Sequence, residues 1–251
     1  MKKFMALLLV AGMTLSLTAC GGSTDTAKTD QADGKDTFTV GFDQDFPPFG
    51  YVGDDGEFTG FDIEMATECA ARMGKKIVLQ PIDWDAKDME LEAGTIDCIW
   101  NGFTMNGRED QYTWTDPYMD NSQVVVVKKD SGINTLADLA GKVVEVQKES
   151  AAETALNDEE HADLTASFAQ LLSVGEYNTA FMDLESGAVD AVAIDIGVAQ
   201  FQIEGKEDQY QILDETISSE QYAVRFFLGN TALRDEVQSI LDRKSGSAGM
   251  P

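Results

Sequence analysis

Basic side chains are scarce in this sequence. Eighteen Lys and Arg stand against 45 Asp and Glu, a formal net charge of −27. Nucleic acid is thereby excluded as a partner, because binding it requires a basic surface. Anionic lipid repels the body of the protein as well, and the acidity reads as a solvated surface. Histidine is rarer still. His161 stands alone in the polar stretch NDEEHADL, which suits a surface residue and not a catalytic base. Cysteine is nearly absent: beyond Cys20 there are only Cys69, in a helix-like stretch, and Cys98, in an apolar strand-like run. Two buried free thiols are expected. No CxxC or Cys/His spacing points to a metal, so neither metal nor cofactor is expected. There is no short-period repeat, and no hydrophobic run long enough to span a membrane follows the first twenty residues.

Those first twenty residues, MKKFMALLLVAGMTLSLTAC, have a basic start, a short apolar run and a small-residue end. This is the layout of a secretory signal. Leu17, Thr18, Ala19 and Cys20 resemble the lipobox of bacterial lipoproteins, in which the cysteine is lipidated and becomes the mature N-terminus. Acyl chains bury methylenes at roughly 0.8 kcal/mol each, so several chains on Cys20 would hold the protein at a membrane. Residues 1–19 are thus read as signal peptide. Residues 20–36 are read as lipidated Cys20 plus a flexible tether, because GGSTDTAKTDQADGKD contains no large apolar residue to offset its ordering entropy.

The remainder alternates between strand and helix patterns. Phe38 to Phe42 reads as a strand, and Pro47-Pro48 then forces an extended loop displaying Phe46, Phe49 and Tyr51. Gly53 to Gly56 reads as a hairpin turn. Phe61 to Gly74 has helical spacing with Asp62 as N-cap. A strand follows at Lys76 to Leu79, then Trp84 in a loop, a short helix from Asp85 to Ala93, and a strand at Ile96 to Trp100. This βαβαβ order implies a mostly parallel sheet with helices on its faces. A second α/β set begins at Val124 to Val127, an apolar run suited to burial on both faces. It continues through a short helix at Leu136 to Leu139, a strand at Val143 to Val146, and a helix capped by Ser150. Beyond an acidic loop lie a helix from Asn178 to Glu185, a strand from Ala191 to Ile194 and a helix from Val198 to Gln202. The chain closes on a strand, Tyr222 to Phe227, and a helix, Ala232 to Leu241. The second unit is thus inserted between parts of the first.

In open α/β sheets, ligands bind beyond the carboxyl ends of strands. Four features fall there: Phe46, the Asn101 to Arg108 segment, Ser150 and Asp195. Arg108 offers a planar donor fork suited to a carboxylate. Ser150 and the N–H groups after it direct a helix start at an anion. Asp195 is a lone carboxylate suited to an ammonium group. Together they match the two charges of a free amino acid. Singly, Arg108 reads equally well as a surface ion pair, Ser150 as a cap and Asp195 as a turn residue.

Five ordered blocks carry a resemblance to the bacterial extracellular solute-binding proteins of family 3, the amino-acid-binding components of ABC importers. They are VGFDQDFPPFGY, FTGFDIEMATECAARMGKKIVL, GTIDCIWNGFT followed by R-x-x-x-x-x-W-T-D-P-Y, DLAGKVVEVQKESAAE, and SGAVDAVAIDIGVA, covering roughly Phe38 to Leu241. The resemblance implies an α/β, two-lobed type II periplasmic-binding-protein fold. Each lobe is a mostly parallel sheet flanked by helices, and two crossover strands join them. Lobe I takes residues 37–123 plus 218–242 and lobe II residues 124–217, with crossings near Asn121–Val125 and Thr216–Gln221. It further implies Phe46 and Trp84 as walls against the ligand side chain, with Gln147 facing it and Phe49 supporting the loop. In Asn101-Gly102-Phe103-Thr104, the Gly102 carbonyl and Thr104 meet the α-ammonium and α-carboxylate. Arg108 grips the carboxylate, Ser150 and the Ala151 N–H complete that grip, and Asp195 takes the ammonium. The implied partners are a free L-amino acid and an ABC permease; the membrane is touched only through the lipid anchor, and the protein is a monomer.

Two departures stand out. The Thr104 to Arg108 segment is one residue shorter than the family pattern, and the family's last helix is missing, leaving residues 243–251 as a disordered tail. Two other functions share this scaffold. A cyclohexadienyl dehydratase-like enzyme needs a placed acid or base, for which His161 and Asp195 are poor candidates. A sensor that presents bound ligand to a receptor would look the same in sequence.

Overall fold

A computed structural model describes residues 36–247; the expected signal peptide, Cys20 and tether lie outside the described residues, as do residues 248–251. The first lobe opens with β1 (Thr37–Phe42), followed by the short β2 (Asp45–Phe46), β3 (Gly50–Val52) and β4 (Phe58–Thr59). Helix α1 (Phe61–Arg72), β5 (Lys76–Pro81), α2 (Lys87–Ala93), β6 (Cys98–Ile99) and β7 (Thr113–Trp114) complete its first pass. The second lobe contains β8 (Met119–Lys128), β9 (Val143–Gln147), α3 (Ala151–Asn157), α4 (Ala162–Ser167) and β10 (Gln170–Val174). After these come α5 (Tyr177–Ser186), β11 (Ala191–Asp195), α6 (Ile196–Ile203), β12 (Tyr210–Ile212) and β13 (Ser218–Tyr222). The chain re-enters the first lobe in β14 (Arg225–Phe226) and ends in α7 (Thr231–Ser247).

Two sheets organise the lobes, in the orders β5-β1-β6-β14-β7 and β10-β9-β11-β8-β12. Within them β1 runs parallel to β5 and β6, and β9 runs parallel to β10 and β11. Strand β8 is antiparallel to all its partners, and its first half pairs with β13, Met119 opposite Tyr222 and Gln123 opposite Ser218. These two strands are where the chain leaves the first sheet and returns to it. The Val124–Val127 run is buried on both faces, Val124 and Val126 in one core and Val125 and Val127 in the other. Four consecutive apolar residues are required because neither face of this central strand meets water.

Several local readings change. Asp62 does not cap α1; Gly60 occupies that place, and Asp62 is buried, where it accepts from Gly102 N at 2.6 Å and Tyr118 OH at 2.9 Å. The acidic stretch after α3 contains α4 and β10, whose weak alternation hides a strand. The expected strand Tyr222 to Phe227 is split into β13 and β14, which belong to different sheets. The last helix continues to Ser247, past the expected end at Leu241. Cys69 and Cys98 are buried and free of a disulfide.

Candidate functional site

All ten residues singled out in the sequence face one cavity between the lobes. Phe46, Trp84, Asn101, Gly102, Thr104 and Arg108 come from the first lobe, and Gln147, Ser150, Ala151 and Asp195 from the second. The empty space is about 310 Å³, mouth included. Asp43 lines it as well and was missed. It follows the end of β1, the same kind of position as Phe46, but beside the prolines and aromatics a lone aspartate carries no signal of its own.

One part of the wall donates. Arg108 stands over the Phe103 ring at 5.2 Å, and its guanidinium is steadied by the Thr104 carbonyl at 3.4 Å and Thr154 Oγ1 at 3.3 Å. The shortened Thr104 to Arg108 segment therefore still brings Arg108 to the cavity. Ser150 is the N-cap of α3, and its Oγ accepts from Glu153 N at 3.1 Å. A hydroxyl that accepts there keeps its proton for a ligand, beside the first free N–H groups of the helix.

Another part accepts. Asp195 ends β11 and is buried, and Oδ1 accepts from Asn121 Nδ2 and Gln123 Nε2 at 2.7 Å and from Tyr222 OH at 2.5 Å. Oδ2 is left to the cavity. Burial, then the charge of Glu220, pushes Asp195 up to about 7.

The third part surrounds Asp43. Its carboxylate accepts from Gln147 Nε2 at 2.7 Å across the cleft and from Asp45 N at 2.8 Å, and burial raises it to about 6. Phe46 and Trp84 are the adjoining walls; Phe46 packs on Phe49 at 5.7 Å and Tyr177 at 6.1 Å, and Trp84 packs on Phe103 at 5.2 Å. Asp43 and Trp84 also border an outer depression of about 830 Å³ rimmed by Asp45, Asp83, Asp85, Glu90 and Glu176. Arg108 borders a different one, where Lys87 and Arg225 mix with Asp88, Glu149 and Glu153. The basic and acidic parts of the wall thus open toward separate sides.

Backbone placement depends on Gly102. Its φ is +56°, and a Cβ there would lie 2.9 Å from Phe46 and 3.1 Å from Tyr222. Glycine removes both the steric clash and the left-handed strain. Asn101 ties this loop to the first strand by accepting from Asp43 N at 2.8 Å. Asn121, Gln123 and Glu220 behind the site were also missed. Their positions on paired strands emerge only once the register of β8 and β13 is known.

Two α/β lobes joined by paired strands, with a charged cavity between them, define a type II periplasmic solute-binding protein. The chain belongs to the bacterial extracellular solute-binding proteins, family 3, matching that family over residues 38–247. It is 29% identical over 240 residues to the L-cystine-binding protein TcyJ of Escherichia coli, covering 94% of this chain and 86% of that one. Against the arginine-binding extracellular protein ArtP of Bacillus subtilis it is 29% identical over 244 residues, covering 96% and 92%. The structure of an ABC uptake transporter substrate-binding protein from Streptococcus pneumoniae with bound histidine superposes with a TM-score of 0.80 at 32% identity, covering 84% of this chain and 88% of that one.

Proposed function

We propose that this protein captures a free amino acid between its lobes, outside the cytoplasm, and delivers it to the permease of an ABC importer. The observation that carries the reading is that Arg108 and Asp195, from opposite lobes, face one cavity. The α-carboxylate goes to Arg108, Ser150 and the Ala151 N–H; the α-ammonium goes to Asp195, Thr104 and the Gly102 carbonyl. Closing the lobes strips water from both ligand charges, so each must meet partners from both sides. Charge-assisted hydrogen bonds contribute roughly 1.5–3 kcal/mol net each, and several together offset the ligand's lost freedom. Closure is a population shift driven by the tighter affinity of the closed form.

Asp43 and the acidic rim outside it favour a side chain that is cationic or rich in donors, held between Phe46 and Trp84. Relatives named for arginine, histidine and cystine support that choice. The reading is capture and not catalysis, since the named relatives are binding proteins. Cys20 anchors the protein by lipid at the outer face of the cell membrane. A thermal-shift panel of the L-amino acids and cystine tests the function: at least one ligand raises the melting temperature and binds below about 10 μM. No response to any of them, from a folded sample, removes the reading.

A further inference from the structure

The ammonium part of the wall holds one acid more than a single ammonium requires. Asp195 ends β11, and Glu220 lies in the middle of β13, the strand by which the chain returns to the first lobe; both are buried. One pair of amides serves both. Asn121 Nδ2 donates to Asp195 Oδ1 at 2.7 Å and to Glu220 Oε1 at 2.6 Å, and Gln123 Nε2 donates to the same two oxygens at 2.7 Å each. Thr104 Oγ1 adds a 2.8 Å bond to Glu220 Oε1. No lysine or arginine bonds to either acid among the described residues.

Two consequences follow from donor and acceptor counting. Thr104 has a single hydroxyl proton and gives it to Glu220, so only lone pairs remain for the cavity. A hydroxyl placed this way accepts from an ammonium and cannot donate to a carboxylate. Secondly, two carboxylates held by the same amides do not ionise independently, and the buried one beside a charged neighbour holds its proton more tightly. Asp195 is the one pushed upward, first by burial and then by the charge of Glu220.

We propose that Glu220 is a positioning residue of the ligand site: it fixes Thr104 as an acceptor and keeps a proton on Asp195 while the cavity is empty, so that each captured ammonium displaces that proton to solvent. The inference rests on the amino-acid reading above. The ligand arrives with its own ammonium charge, the Asp195 O–H bond breaks, the proton leaves to water, and ionised Asp195 pairs with the ammonium; no other bond changes. The groups facing Asp195 are Glu220 and Tyr222 from β13, Tyr177 from α5, and Arg108 and Asp43 from the cavity wall, with Asn121 and Gln123 uncharged on β8. Glu220 is the acid among them that shares hydrogen-bond donors with Asp195.

The test is calorimetric titration of the protein with L-arginine, L-cystine and L-glutamine, none of which changes charge near neutrality. Running it in buffers of different ionisation heat at about pH 6.5 counts the protons exchanged. The expected result is release of about half to one proton per ligand, with affinity about tenfold weaker at about pH 5.5 than at about pH 7.5. In Glu220→Gln, which still accepts from Thr104, release falls below half of that value. Any contribution from Asp43 survives in this variant and serves as the control. Binding by the wild type with no proton exchange overturns the inference without needing a variant, and equal release from Glu220→Gln overturns it too. If none of the three binds, the titration is run with the L-amino acid that the thermal-shift panel detects; if the panel detects none, the amino-acid reading falls, and this inference with it.

Discussion

Lys87 and Glu149 meet across the cleft, Nζ to Oε2 at 2.9 Å, although 62 residues separate them. Lys148 and Asp85 repeat the contact beside them at 2.7 Å, with the charges exchanged between lobes. The two pairs differ in environment. The Lys87 side chain is 5% exposed, whereas both members of the neighbouring pair are about half exposed, 55% and 42%. Exposed pairs contribute little, so the Lys148–Asp85 contact adds little to closure. Lys87 is different, because closure buries its charge.

That difference sets the order of two variants. Burial pulls the Lys87 ammonium downward, and Glu149 opposes it. Glu149→Gln leaves a desolvated ammonium in the closed state, so ligand affinity should fall about tenfold. Lys87→Met removes the charge that closure desolvates, together with the ammonium's place 5.3 Å from the Trp84 ring, so affinity should stay within about threefold of wild type. Calorimetry on both variants checks the order; a larger loss in Lys87→Met contradicts it.

Gly197 lies in the first turn of α6, where a Cβ would approach Phe49 of the first lobe at 2.9 and 3.1 Å. Phe49 is packed against Tyr222 and cannot retreat freely. Gly197→Ala should therefore hold the lobes apart, weakening ligand binding by about tenfold while leaving the ligand-free melting temperature unchanged. Adding Phe49→Leu should recover much of the loss. Small-angle scattering should show a more open average shape for the single variant with ligand present.

The contrast between Phe46 and Asp43 shows what the sequence could reveal. Strand ends, prolines and aromatics are local signals, and they point to Phe46, Ser150 and Asp195 from the sequence alone. The strand-end rule reached Arg108 as well, and the family resemblance added Trp84, Gly102 and Gln147. Glu220, Asn121 and Gln123 carry no such signal. They reach the site through the pairing of β8 with β13, and register between strands about a hundred residues apart is a tertiary property. Asp62 fails for the same reason: as a cap it looks local, but its partners Gly102 and Tyr118 are distant in the chain. β10 was overlooked because its strand burial is partial and its alternation weak.

Buried acids set the response to pH. Burial raises Asp62 to about 7, Asp43 to about 6 and Asp195 to about 7. Each keeps its proton in the folded state over a range where the unfolded chain has lost it, from about pH 4 up to the raised value. The folded state binds more protons there, so stability falls as pH rises through that window. The carboxylates held low, such as Asp88 beside Arg225, act below about pH 4 and do not offset this. The ligand-free protein should melt several degrees higher at about pH 5 than at about pH 8. Asp62→Asn should flatten the dependence, since Gly102 N keeps an acceptor in the amide oxygen. A melting temperature that climbs from about pH 5 to about pH 8 contradicts the assignment.

Arg108 and Asp195 should respond differently to conservative change. Among the described residues Arg108 has no acid partner, so a bound carboxylate is the charge it is free to meet. Arg108→Ala leaves that carboxylate desolvated and short of donors, which should weaken binding by about 100-fold, roughly 3 kcal/mol. Arg108→Lys restores charge without the planar fork, so recovery should stop about tenfold short of wild type. Asp195→Asn keeps the shape but presents a neutral amide to the ammonium, so its loss should match or exceed that of Arg108→Ala. Calorimetric titrations of the three variants, with circular dichroism to confirm folding, give the comparison. Wild-type affinity in both Arg108→Ala and Asp195→Asn would remove the pair from the site.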